Sequence, residues 1–556
     1  MKKSKGPELV FAPLGGVGEI GMNFALYGYG SADDRQWIIV DCGVSFPGPD
    51  LPGVDLVLPD IRFIIAEGSR LKGIVITHAH EDHYGALHDL WPSLNVPVWA
   101  TPFTAALLEA KRQSEPGAPK IPVTIYRAGE KFSVGPFQIE AINVAHSIPE
   151  PVSLAITSPL GTLIHTGDWK IDLEPSLGGV TDEKRFRELG EAGVLALICD
   201  STNAMVEGQS PTEREVGASL RTILEAAPGR VAITTFSSNV GRIRSIAEAA
   251  RDGGRQVMVL GRSMKRVIDV SRELGYLDGL PDFLGEDQFG FIPREKAVII
   301  CTGSQGEQRA ALSKLARDEM KSVSLSPGDM VIYSSRAIPG NEKPINEIKN
   351  LLITQGIKIV EDKDALVHVS GHPRRGELRK MYEWTKPRIS VPVHGEAAHL
   401  AAHASLAAMA GIPEVAQIRD GDLLRLAPGP AEILDKLPFG RVFKDGKLIG
   451  NEEEMGIAER RKLSYVGHVA VNVVLDEKLE LVGEPDLVSL GLPDSDAAGD
   501  DLEEVLLDAA ISAIESIPRA RRKDLDLIAE AVRRAVRNSS EQAWGKKPVV
   551  TVFVTR

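Results

Sequence analysis

Short apolar runs of strand length recur along the first 200 residues, and several are followed by a side chain that can bind a metal ion or a proton. The runs and the residues that follow them are Trp37–Val40 before Asp41, Leu71–Ile76 before His78, Val123–Val144 before His146, Leu163–His165 before Asp168, and Val194–Cys199 before Asp200. In an open α/β sheet, the carboxyl ends of the strands carry the binding and catalytic groups. The pattern therefore predicts a strand-rich region whose functional residues meet at one sheet edge.

Helices and strands alternate between Glu213 and about Val360. Compact apolar runs there predict the strands Val231–Thr235, Gln256–Leu260, Ala297–Cys301 and Met330–Tyr333. Amphipathic stretches predict the helices Glu215–Ala227, Arg242–Arg251, Met264–Leu274, Gln308–Ala316 and Pro344–Gln355. This alternation is typical of a mainly parallel sheet. Small polar loops join its strands to its helices, and such loops at helix N-termini can bind phosphate groups.

The last third of the chain returns to one strand and then changes character. Ile389–Val393 is predicted as a strand that ends at His394, with the helix His399–Met409 behind it. Residues 428–456 have poor periodicity and contain proline and glycine, so we interpret most of them as a linker. The elements predicted after it are a hairpin of Val466–Leu475 and Leu479–Val482, the helices Leu502–Ile517 and Leu525–Val536, and the strand Val549–Val554.

Length and composition limit the class of protein. A chain of 556 residues predicts three or four domains. Its three cysteines, Cys42, Cys199 and Cys301, are far apart and form no CxxC pair, which favours a reducing compartment over a disulfide framework. The basic residues 1–5 precede no apolar stretch, so we expect no signal peptide, and no apolar run reaches the length of a membrane helix. We therefore expect a cytoplasmic protein without a membrane partner.

The charge is unevenly distributed. The net charge of −13 argues against a nucleic-acid partner. However, Arg230–Arg272 contains nine basic and three acidic residues, while Asp476–Glu504 contains eleven acidic residues and one lysine. The negative charge is thus concentrated near the C-terminus, and the basic stretch is a candidate surface for a polyanion.

The loop after Leu71–Ile76 carries the most specific chemistry of the chain. Three of the twelve histidines lie in it, together with Asp82, in the sequence Thr77-His78-Ala79-His80-Glu81-Asp82-His83. Alternate residues of an extended chain point the same way, so His78 and His80 face one point while the next turn can face a second. Imidazole and carboxylate ligands suit Zn²⁺ or Mn²⁺. The loop predicts a site for two metal ions, and Asp41 is a candidate partner that orients it.

A second glycine pattern has a different explanation. Gly16-Val17-Gly18-Glu19-Ile20-Gly21 matches the GxGxxG dinucleotide fingerprint. That fingerprint requires a helix after the glycines, whereas Met22–Gly30 is predicted as a strand. We therefore expect a glycine-rich connection between antiparallel strands.

The motif H-x-H-x-D-H at His78–His83 resembles the signature of the metallo-β-lactamase superfamily. Asp41, His146, Asp168 and His394 follow in the order of the other motifs of that fold. The resemblance implies one zinc ion on His78, His80 and His146. It implies a second on Asp82, His83 and His394. Asp168 would bridge the two ions.

Further motifs resemble the β-CASP branch of that superfamily, and within it the bacterial ribonuclease J family. Asp200, His372 and His394 correspond to motifs A, B and C of the branch. The finer matches are Gly15–Gly21, His165–Asp168, Phe236–Asn239, Thr302–Glu307, Ile338–Glu342 and His394–Glu396. The likeness spans almost the whole chain. One departure is Gly241, where many members of the family have histidine.

The resemblance implies an αββα metallo-β-lactamase sandwich with an inserted parallel-sheet β-CASP domain and a small α+β C-terminal domain. The expected ranges are 1–210 and 361–430 for the two parts of the sandwich, 211–360 for the β-CASP domain, 431–456 for a linker and 457–556 for the last domain. It also implies assembly as a homodimer or homotetramer.

The implied activity is a metal-dependent ribonuclease that acts in RNA maturation and decay. Such an enzyme degrades single-stranded RNA from a 5′-monophosphate end in the 5′→3′ direction and also cuts internally. The implied cofactors are two Zn²⁺ per subunit, with Mn²⁺ or Mg²⁺ as alternatives. The implied catalytic residues are Asp82, Asp200 and His372, and the residues expected to bind the 5′-phosphate are Ser237, Ser238, Asn239, His368, Ser370, Gly371 and His372.

Three alternatives remain open from the sequence. A thioesterase-like or lactamase-like hydrolase would share the histidine loop, but it has no need of the inserted domain. A DNA nuclease is disfavoured because His394, rather than the valine of DNA-acting members, stands at motif C. A non-catalytic RNA-binding subunit would have lost ligands, whereas every expected ligand position is filled.

Overall fold

A computed structural model describes residues 6–338 and 340–556. The N-terminal residues 1–5, on which the signal-peptide expectation rests, and Pro339 of the Ile338–Glu342 motif lie outside the described residues. The chain divides into two compact units, Met1–Ser45 with Leu58–Arg441, and Phe46–Val57 with Val442–Arg556. Among the described residues, no helix combines the length and apolar character needed to cross a membrane.

The first 200 residues are rich in strands, as their apolar runs predict. The strands are β1 Glu8–Gly15, β2 Val17–Gly18, β3 Phe24–Gly30, β4 Gln36–Val40, β5 Leu56–Pro59, β6 Leu71–Val75, β7 Val98–Ala100, β8 Val123–Ile125, β9 Lys131–Val134, β10 Phe137–Asn143, β11 Val152–Ser158, β12 Gly161–His165 and β13 Val194–Asp200. The helices are α1 Arg62–Glu67, α2 Glu81–Tyr84, α3 Leu87–Leu94, α4 Pro102–Ser114 and α5 Glu183–Ala192. Strands β1 and β3 pair antiparallel across the glycine-rich segment. The segment is therefore the predicted connection between antiparallel strands and not a dinucleotide-binding motif.

Two large sheets form the body of the first unit. One has the order β23-β22-β1-β3-β4-β6-β7-β8 and the other β21-β19-β13-β12-β11-β10-β9. The later strands in these orders are β19 Ile389–Val393, β20 Gly395–Glu396, β21 Glu414–Val415, β22 Asp422–Ala427 and β23 Glu432–Lys436, and the helices between them are α11 Arg375–Thr385 and α12 Ala397–Met409. One buried core joins both sheets, since Val40 and Val75 of the first share it with Leu163 and Ile198 of the second. The sheets therefore pack face to face.

A separate parallel sheet occupies the alternating region. Its elements are β14 Val231–Thr234, β15 Gln256–Leu260, β16 Ala297–Cys301, β17 Met330–Tyr333 and β18 Lys358–Val360, with α6 Glu213–Ala226, α7 Val240–Asp252, α8 Arg262–Glu273, α9 Ala311–Ala316 and α10 Glu342–Thr354. The strand order is β15-β16-β14-β17-β18, and every neighbouring pair is parallel. The chain leaves β14 toward one side of the sheet and leaves β17 toward the other. The carboxyl ends of these two neighbours form the switch point where such sheets bind ligands.

The second unit contains a three-stranded sheet of order β27-β26-β28. The elements of this part of the chain are β24 Arg441–Asp445, β25 Leu448–Gly450, α13 Ile457–Val466, β26 His468–Val474, β27 Asp486–Leu490, α14 Leu502–Ser516, α15 Leu525–Trp544 and β28 Val549–Thr555. Val469, Val471 and Val473 of the central strand share a buried core with apolar residues of α14 and α15. The small α+β arrangement thus has its own core.

One expectation about this part of the chain was wrong in detail, and another was incomplete. The segment expected to be an irregular linker contains β23, β24 and β25, and β23 gains its stability by pairing with β22 at a sheet edge. Strand β26 pairs with β27 along its length. At its end, Leu475 and Leu481 form an antiparallel bridge and the Val482 amide donates to the carbonyl oxygen of Val474 at 2.9 Å, so the predicted hairpin with Leu479–Val482 is also present. The Asp476 carboxylate stabilises its turn by accepting hydrogen bonds from the amides of Lys478 and Glu480, both at 2.8 Å.

Candidate metal centre

The histidine loop leaves the carboxyl end of the buried strand β6. Its backbone turns into the short helix α2 at His80, and the amide of His83 donates to the carbonyl oxygen of His80 at 2.9 Å. His78 and His80 therefore precede the helix, while Asp82 and His83 lie on its first turn. One loop thus presents ligand-type side chains in two directions.

The first group of candidate ligands is His78, His80, His146 and Asp168. His80 Nδ1 lies 3.1 Å from His78 Nε2 and 3.0 Å from His146 Nε2. Asp168 Oδ2 lies 3.6 Å from the Nε2 atoms of both His78 and His146. Nitrogen ligands of a tetrahedral zinc ion, each about 2.0 Å from the metal, are about 3.3 Å apart. The spacing of these donor atoms is that of ligands around one cation.

The second group is Asp82, His83, Asp168 and His394. Asp168 Oδ2 is 3.3 Å from His83 Nε2, and Asp168 Oδ1 is 3.6 Å from His394 Nε2. Asp82 Oδ2 completes the group at 3.6 Å from His83 Nε2 and 3.8 Å from His394 Nε2. Asp168 is the only member shared with the first group, and its buried Oδ1 has no hydrogen-bond partner among the described residues. The donor set fits a divalent cation in each group.

Hydrogen bonds on the far side of the rings fix their tautomers. His146 Nδ1 donates to the carbonyl oxygen of Gly371 at 2.7 Å, and His83 Nδ1 donates to Asp41 Oδ2 at 2.7 Å. His394 Nδ1 donates to Asn23 Oδ1 at 2.9 Å. With Nδ1 as the donor in each ring, Nε2 is the atom that a neutral ring would offer to a cation.

Asp41 holds the histidine loop from behind. Its carboxylate accepts hydrogen bonds from the Thr77 amide at 2.8 Å and the Thr77 hydroxyl at 2.9 Å, besides the one from His83. Asp41 has a left-handed backbone with φ of 65°, and His394 likewise has φ of 53°. Such conformations are unfavourable for residues with a Cβ and persist where the surroundings enforce them, often at functional sites.

Burial and neighbouring charges divide the histidines electrostatically. Burial lowers the pKa of His80 to about 4, and it holds the pKa values of His78 and His146 well below their ordinary range. These three rings are therefore neutral, as metal ligands must be. Burial also lowers the pKa of His83, but Asp168 and two further carboxylates raise it well above its ordinary value. A cation beside His83 would neutralise the same negative charge.

Asp200 and His372 form a pair at the edge of this centre. His372 Nδ1 lies 2.8 Å from Asp200 Oδ2 and 3.8 Å from Asp168 Oδ2. Burial lowers the pKa of His372, but Asp200 and then Asp168 raise it to about 9. Without a cation beside it, the ring is therefore protonated at neutral pH. The pair belongs to a third group of neighbouring acids and histidines with Asp168 and His394.

The residues expected to bind a phosphate are only partly brought together. His368, Ser370, Gly371 and His372 lie on one segment, and Ser370 Oγ accepts a hydrogen bond from Asn203 Nδ2 at 2.8 Å. The buried Nδ1 of His368 has no hydrogen-bond partner among the described residues. Ser237 and Ser238 are half-buried, whereas Asn239 Oδ1 caps α7 by accepting from the Arg242 amide at 2.9 Å. The amide oxygen of Asn239 is thus already used by the fold.

Sequence reasoning missed two amides that connect residues of the site. Asn23 accepts from His394 and donates to the carbonyl oxygen of Asp82 at 3.0 Å. Asn203 donates to Ser370 and also to the carbonyl oxygen of His372 at 3.1 Å. Their positions, next to a glycine-rich segment and three residues after Asp200, were the available signals.

Part of the basic stretch Arg230–Arg272 is structural. Arg242 is fully buried and pairs with Glu213, and buried Arg255 donates to the carbonyl oxygen of Gly229 at 2.9 Å. Nearby, a Cβ on Gly241 would lie 2.7 Å from Ser176 Oγ, so this glycine allows a close approach beside a small cavity of about 20 Å³. That cavity is lined in part by His146, Lys170 and Asp172.

Family models match four ranges of the chain. They are a beta-lactamase superfamily domain at 36–196, a ribonuclease J beta-CASP domain at 228–352, a Zn-dependent metallo-hydrolase RNA specificity domain at 356–416, and a ribonuclease J C-terminal domain at 455–556. These matches confirm the predicted fold class of a metallo-β-lactamase domain with an inserted β-CASP domain and a separate C-terminal domain.

Curated relatives resemble the chain along its length. It is 64% identical over 563 residues to "Ribonuclease J" of Sinorhizobium meliloti, which covers 100% of both chains. It is 38% identical over 546 residues to "Ribonuclease J" of Mycolicibacterium smegmatis, covering 97% of this chain and 96% of that one. A crystal structure of a protein of unknown function from Enterococcus faecalis has a TM-score of 0.52 at 15% identity and covers 75% of this chain and 100% of that one, a likeness of fold alone.

Proposed function

This chain belongs to the ribonuclease J family of metal-dependent ribonucleases, and from that premise we propose that it removes nucleotides from 5′-monophosphate ends of single-stranded RNA and also cuts internally. The observation that carries the proposal is the His372–Asp200 pair, with Nδ1 2.8 Å from Oδ2, beside the two ligand groups that share Asp168. A centre made of two groups of metal ligands, with a proton donor at its edge, is suited to hydrolysis of a phosphodiester.

Two divalent cations are proposed for the centre, with Zn²⁺ as the first candidate and Mn²⁺ or Mg²⁺ as alternatives. His78, His80 and His146 would hold one, Asp82, His83 and His394 the other, and Asp168 both. When bound, such a pair neutralises charge on the phosphate and makes water acidic enough to attack at neutral pH. The donor chemistry supports the assignment, because each group combines neutral imidazoles with a carboxylate.

His372 is proposed to protonate the leaving oxygen. Attack of water on phosphorus breaks the bond to the 3′-oxygen of the preceding nucleotide, which must gain a proton. Asp200 holds Nδ1 of His372 at 2.8 Å, so the second ring nitrogen is free to donate that proton. The products are a 3′-hydroxyl and a new 5′-monophosphate, so each cut regenerates the end that the next cut requires.

A pocket for the 5′-phosphate is proposed at His368, Ser370 and Gly371. The unpartnered Nδ1 of His368 and the small residues beside it support a ligand at this place. A pocket at a fixed distance from the cations would make the enzyme count from the 5′ end. It would also discriminate against a triphosphate, which is larger.

The remaining proposals concern organisation. The domain division at 210, 360, 430 and 456 is supported by the ranges of the family matches. Assembly as a homodimer or homotetramer, and a cytoplasmic location, stay predictions; light scattering of the purified protein tests the first.

The test is degradation of end-labelled RNA with a 5′-monophosphate, 5′-triphosphate or 5′-hydroxyl end. We expect mononucleotides from the monophosphate substrate first, and loss of the activity when a chelator removes divalent cations. Stable RNA alongside hydrolysed thioesters, or cleavage of DNA in preference to RNA, would refute the proposal. Binding of RNA without any cleavage would favour a non-catalytic subunit.

A further inference from the structure

The loop after β17 lies at the switch point of the inserted parallel sheet, and it carries a guanidinium with an unusual environment. This loop runs from Ser334 to Asn341, with Pro339 outside the described residues. It faces the segment after β13, because Arg336 Nη1 donates to Asn203 Oδ1 at 3.3 Å. The contact joins the inserted sheet to the strand end that carries Asp200.

Buried side chains fix the base of the loop. Arg242 Nη1 donates to Ser334 Oγ at 2.6 Å and to the carbonyl oxygen of Val367 at 3.0 Å. Gln305 donates to the carbonyl oxygen of Arg336 at 3.0 Å and accepts from the Ile338 amide at 2.8 Å. The backbone on both sides of Arg336 is therefore held, although its side chain is exposed.

The charge of Arg336 is not neutralised by the protein. Among residues 6–338 and 340–556, no carboxylate forms a salt bridge with it, and the Asn203 amide is its one side-chain partner. Most other arginines of the inserted sheet have an acidic partner, as Arg242 has in Glu213 and Arg294 has in Asp329. A guanidinium without an acidic partner, on a backbone held from both sides, is a ready binding site for an anion.

Arg336 is also connected to the candidate phosphate pocket. Asn203, which accepts from it, donates to both Ser370 Oγ and the carbonyl oxygen of His372. Burial and then Arg242 lower the pKa of His368 most, and Arg336 lowers it as well. The guanidinium of Arg336 therefore lies within electrostatic reach of that ring. Ser335 Oγ, beside it in sequence, is buried and unpartnered among the described residues.

We infer that Arg336 binds a phosphate group of the RNA next to the scissile bond, with Asn203 and Gln305 as positioning residues. This inference rests on the proposed ribonuclease function and deepens it. A planar guanidinium recognises a phosphate through two parallel hydrogen bonds. It also offsets the repulsion that the carboxylates of the metal centre exert on a polyanion. The phosphate is either the 5′-terminal one or an internal phosphodiester.

The test compares Arg336→Gln with wild type on two RNAs of one sequence, with a 5′-monophosphate or a 5′-hydroxyl end. Lys296→Gln is the matched control. Exposed Lys296 precedes β16, so it lies at the amino ends of the strands of the same sheet, whereas Arg336 lies at the carboxyl ends. Arg336→Lys is a second variant that keeps the charge but loses the two-pronged geometry. KM and kcat are measured at several salt concentrations.

For Arg336→Gln we expect KM to rise about tenfold with little change in kcat. The slope of log KM against log salt concentration should fall by about one, which corresponds to one phosphate contact. Arg336→Lys should recover part of the loss, and Lys296→Gln should match wild type. A loss confined to the monophosphate RNA identifies the terminal phosphate, whereas an equal loss on both RNAs identifies an internal one. Unchanged KM and unchanged salt slope on both RNAs would overturn the inference.

Failure of the proposed function would give a different result. In that case wild type itself would cleave neither RNA. Fluorescence anisotropy of the same labelled RNAs still tests Arg336, because a phosphate contact weakens binding and flattens its salt dependence without any chemistry. Equal affinity and equal salt slope of wild type and Arg336→Gln would then overturn the inference independently.

Discussion

Asp200 Oδ2 lies 2.8 Å from His372 Nδ1, although 172 positions separate the two residues in the chain. The carboxylate keeps the imidazole protonated and oriented beside the metal centre, an arrangement suited to a general acid.

We expect His372→Gln to lower kcat by about 100-fold or more with little change in KM, because general acids contribute on the order of 10²–10⁴. In wild type, kcat should fall as the pH rises through about 9, where His372 loses its proton. Asp200→Asn removes the charge that raises this pKa, so the falling limb should move to lower pH. Single-turnover cleavage across the pH range measures both effects, and an unmoved limb in Asp200→Asn would contradict the assignment.

His80→Ala should lose the metal bound by the first ligand group and nearly all turnover, because His80 Nδ1 lies between His78 and His146. Metal content by mass spectrometry and RNA cleavage are measured on the same preparation. His468→Ala, in the second unit, is the control histidine and should retain wild-type metal content. Unchanged turnover in His80→Ala would refute the two-group assignment.

Gly371→Ala should weaken metal binding without a large loss of stability. A Cβ at this position would stand 2.5 Å from His146 Nδ1 and 2.8 Å from Ser147 Oγ, so the ligand ring must shift. Gly290→Ala is the control, since its Cβ would meet nothing within 4 Å. Competition with a fluorescent chelator gives the affinities, and equal affinity of both variants would contradict the prediction.

His403 should make the protein less stable in acid. It is fully buried, with Nδ1 2.8 Å from Ser201 Oγ and Nε2 2.7 Å from Tyr382 OH. Burial lowers the pKa of His403 to about 4, whereas an exposed histidine titrates near about 6.5. The unfolded chain therefore binds this proton more readily. His403 therefore leaves the free energy of unfolding unchanged above about pH 6.5. Below that pH it lowers the free energy of unfolding, by about 3 kcal/mol at about pH 4.

Urea unfolding at a series of pH values measures this slope. His403→Gln should be less stable at neutral pH but should depend less on pH between about 6.5 and 4. His468→Gln serves as the control and should keep the wild-type slope. An unaltered slope in His403→Gln would show that other groups dominate the acid response.

Much of the fold could be predicted because buried parallel strands are apolar runs with polar ends. The bounds of Gln256–Leu260, Ala297–Cys301 and Met330–Tyr333 agree with prediction to the residue. Strands such as β23 were missed because they gain stability from pairing with an existing edge, which leaves little apolar alternation in their own sequence.

The candidate ligands could be predicted because metal-binding side chains are rare and follow strand ends. Asn23 and Asn203 could not, because an amide that joins two ligands has no characteristic spacing. The side chain of Asn239, predicted to bind phosphate from its position in a polar loop, also has a structural role that was not predicted, because its Oδ1 caps α7.

The inserted parallel sheet separates the ligands of one centre by more than three hundred positions, from His78 to His394. During synthesis, the first ligand group is complete once residue 168 has emerged from the ribosome, but the second must wait for His394. A polypeptide released early, anywhere within the inserted sheet, would carry one complete ligand group and lack His394 of the other. We therefore expect nuclease activity only after nearly the whole of the first unit has been made, because His394 is the last of the proposed ligands to be synthesised.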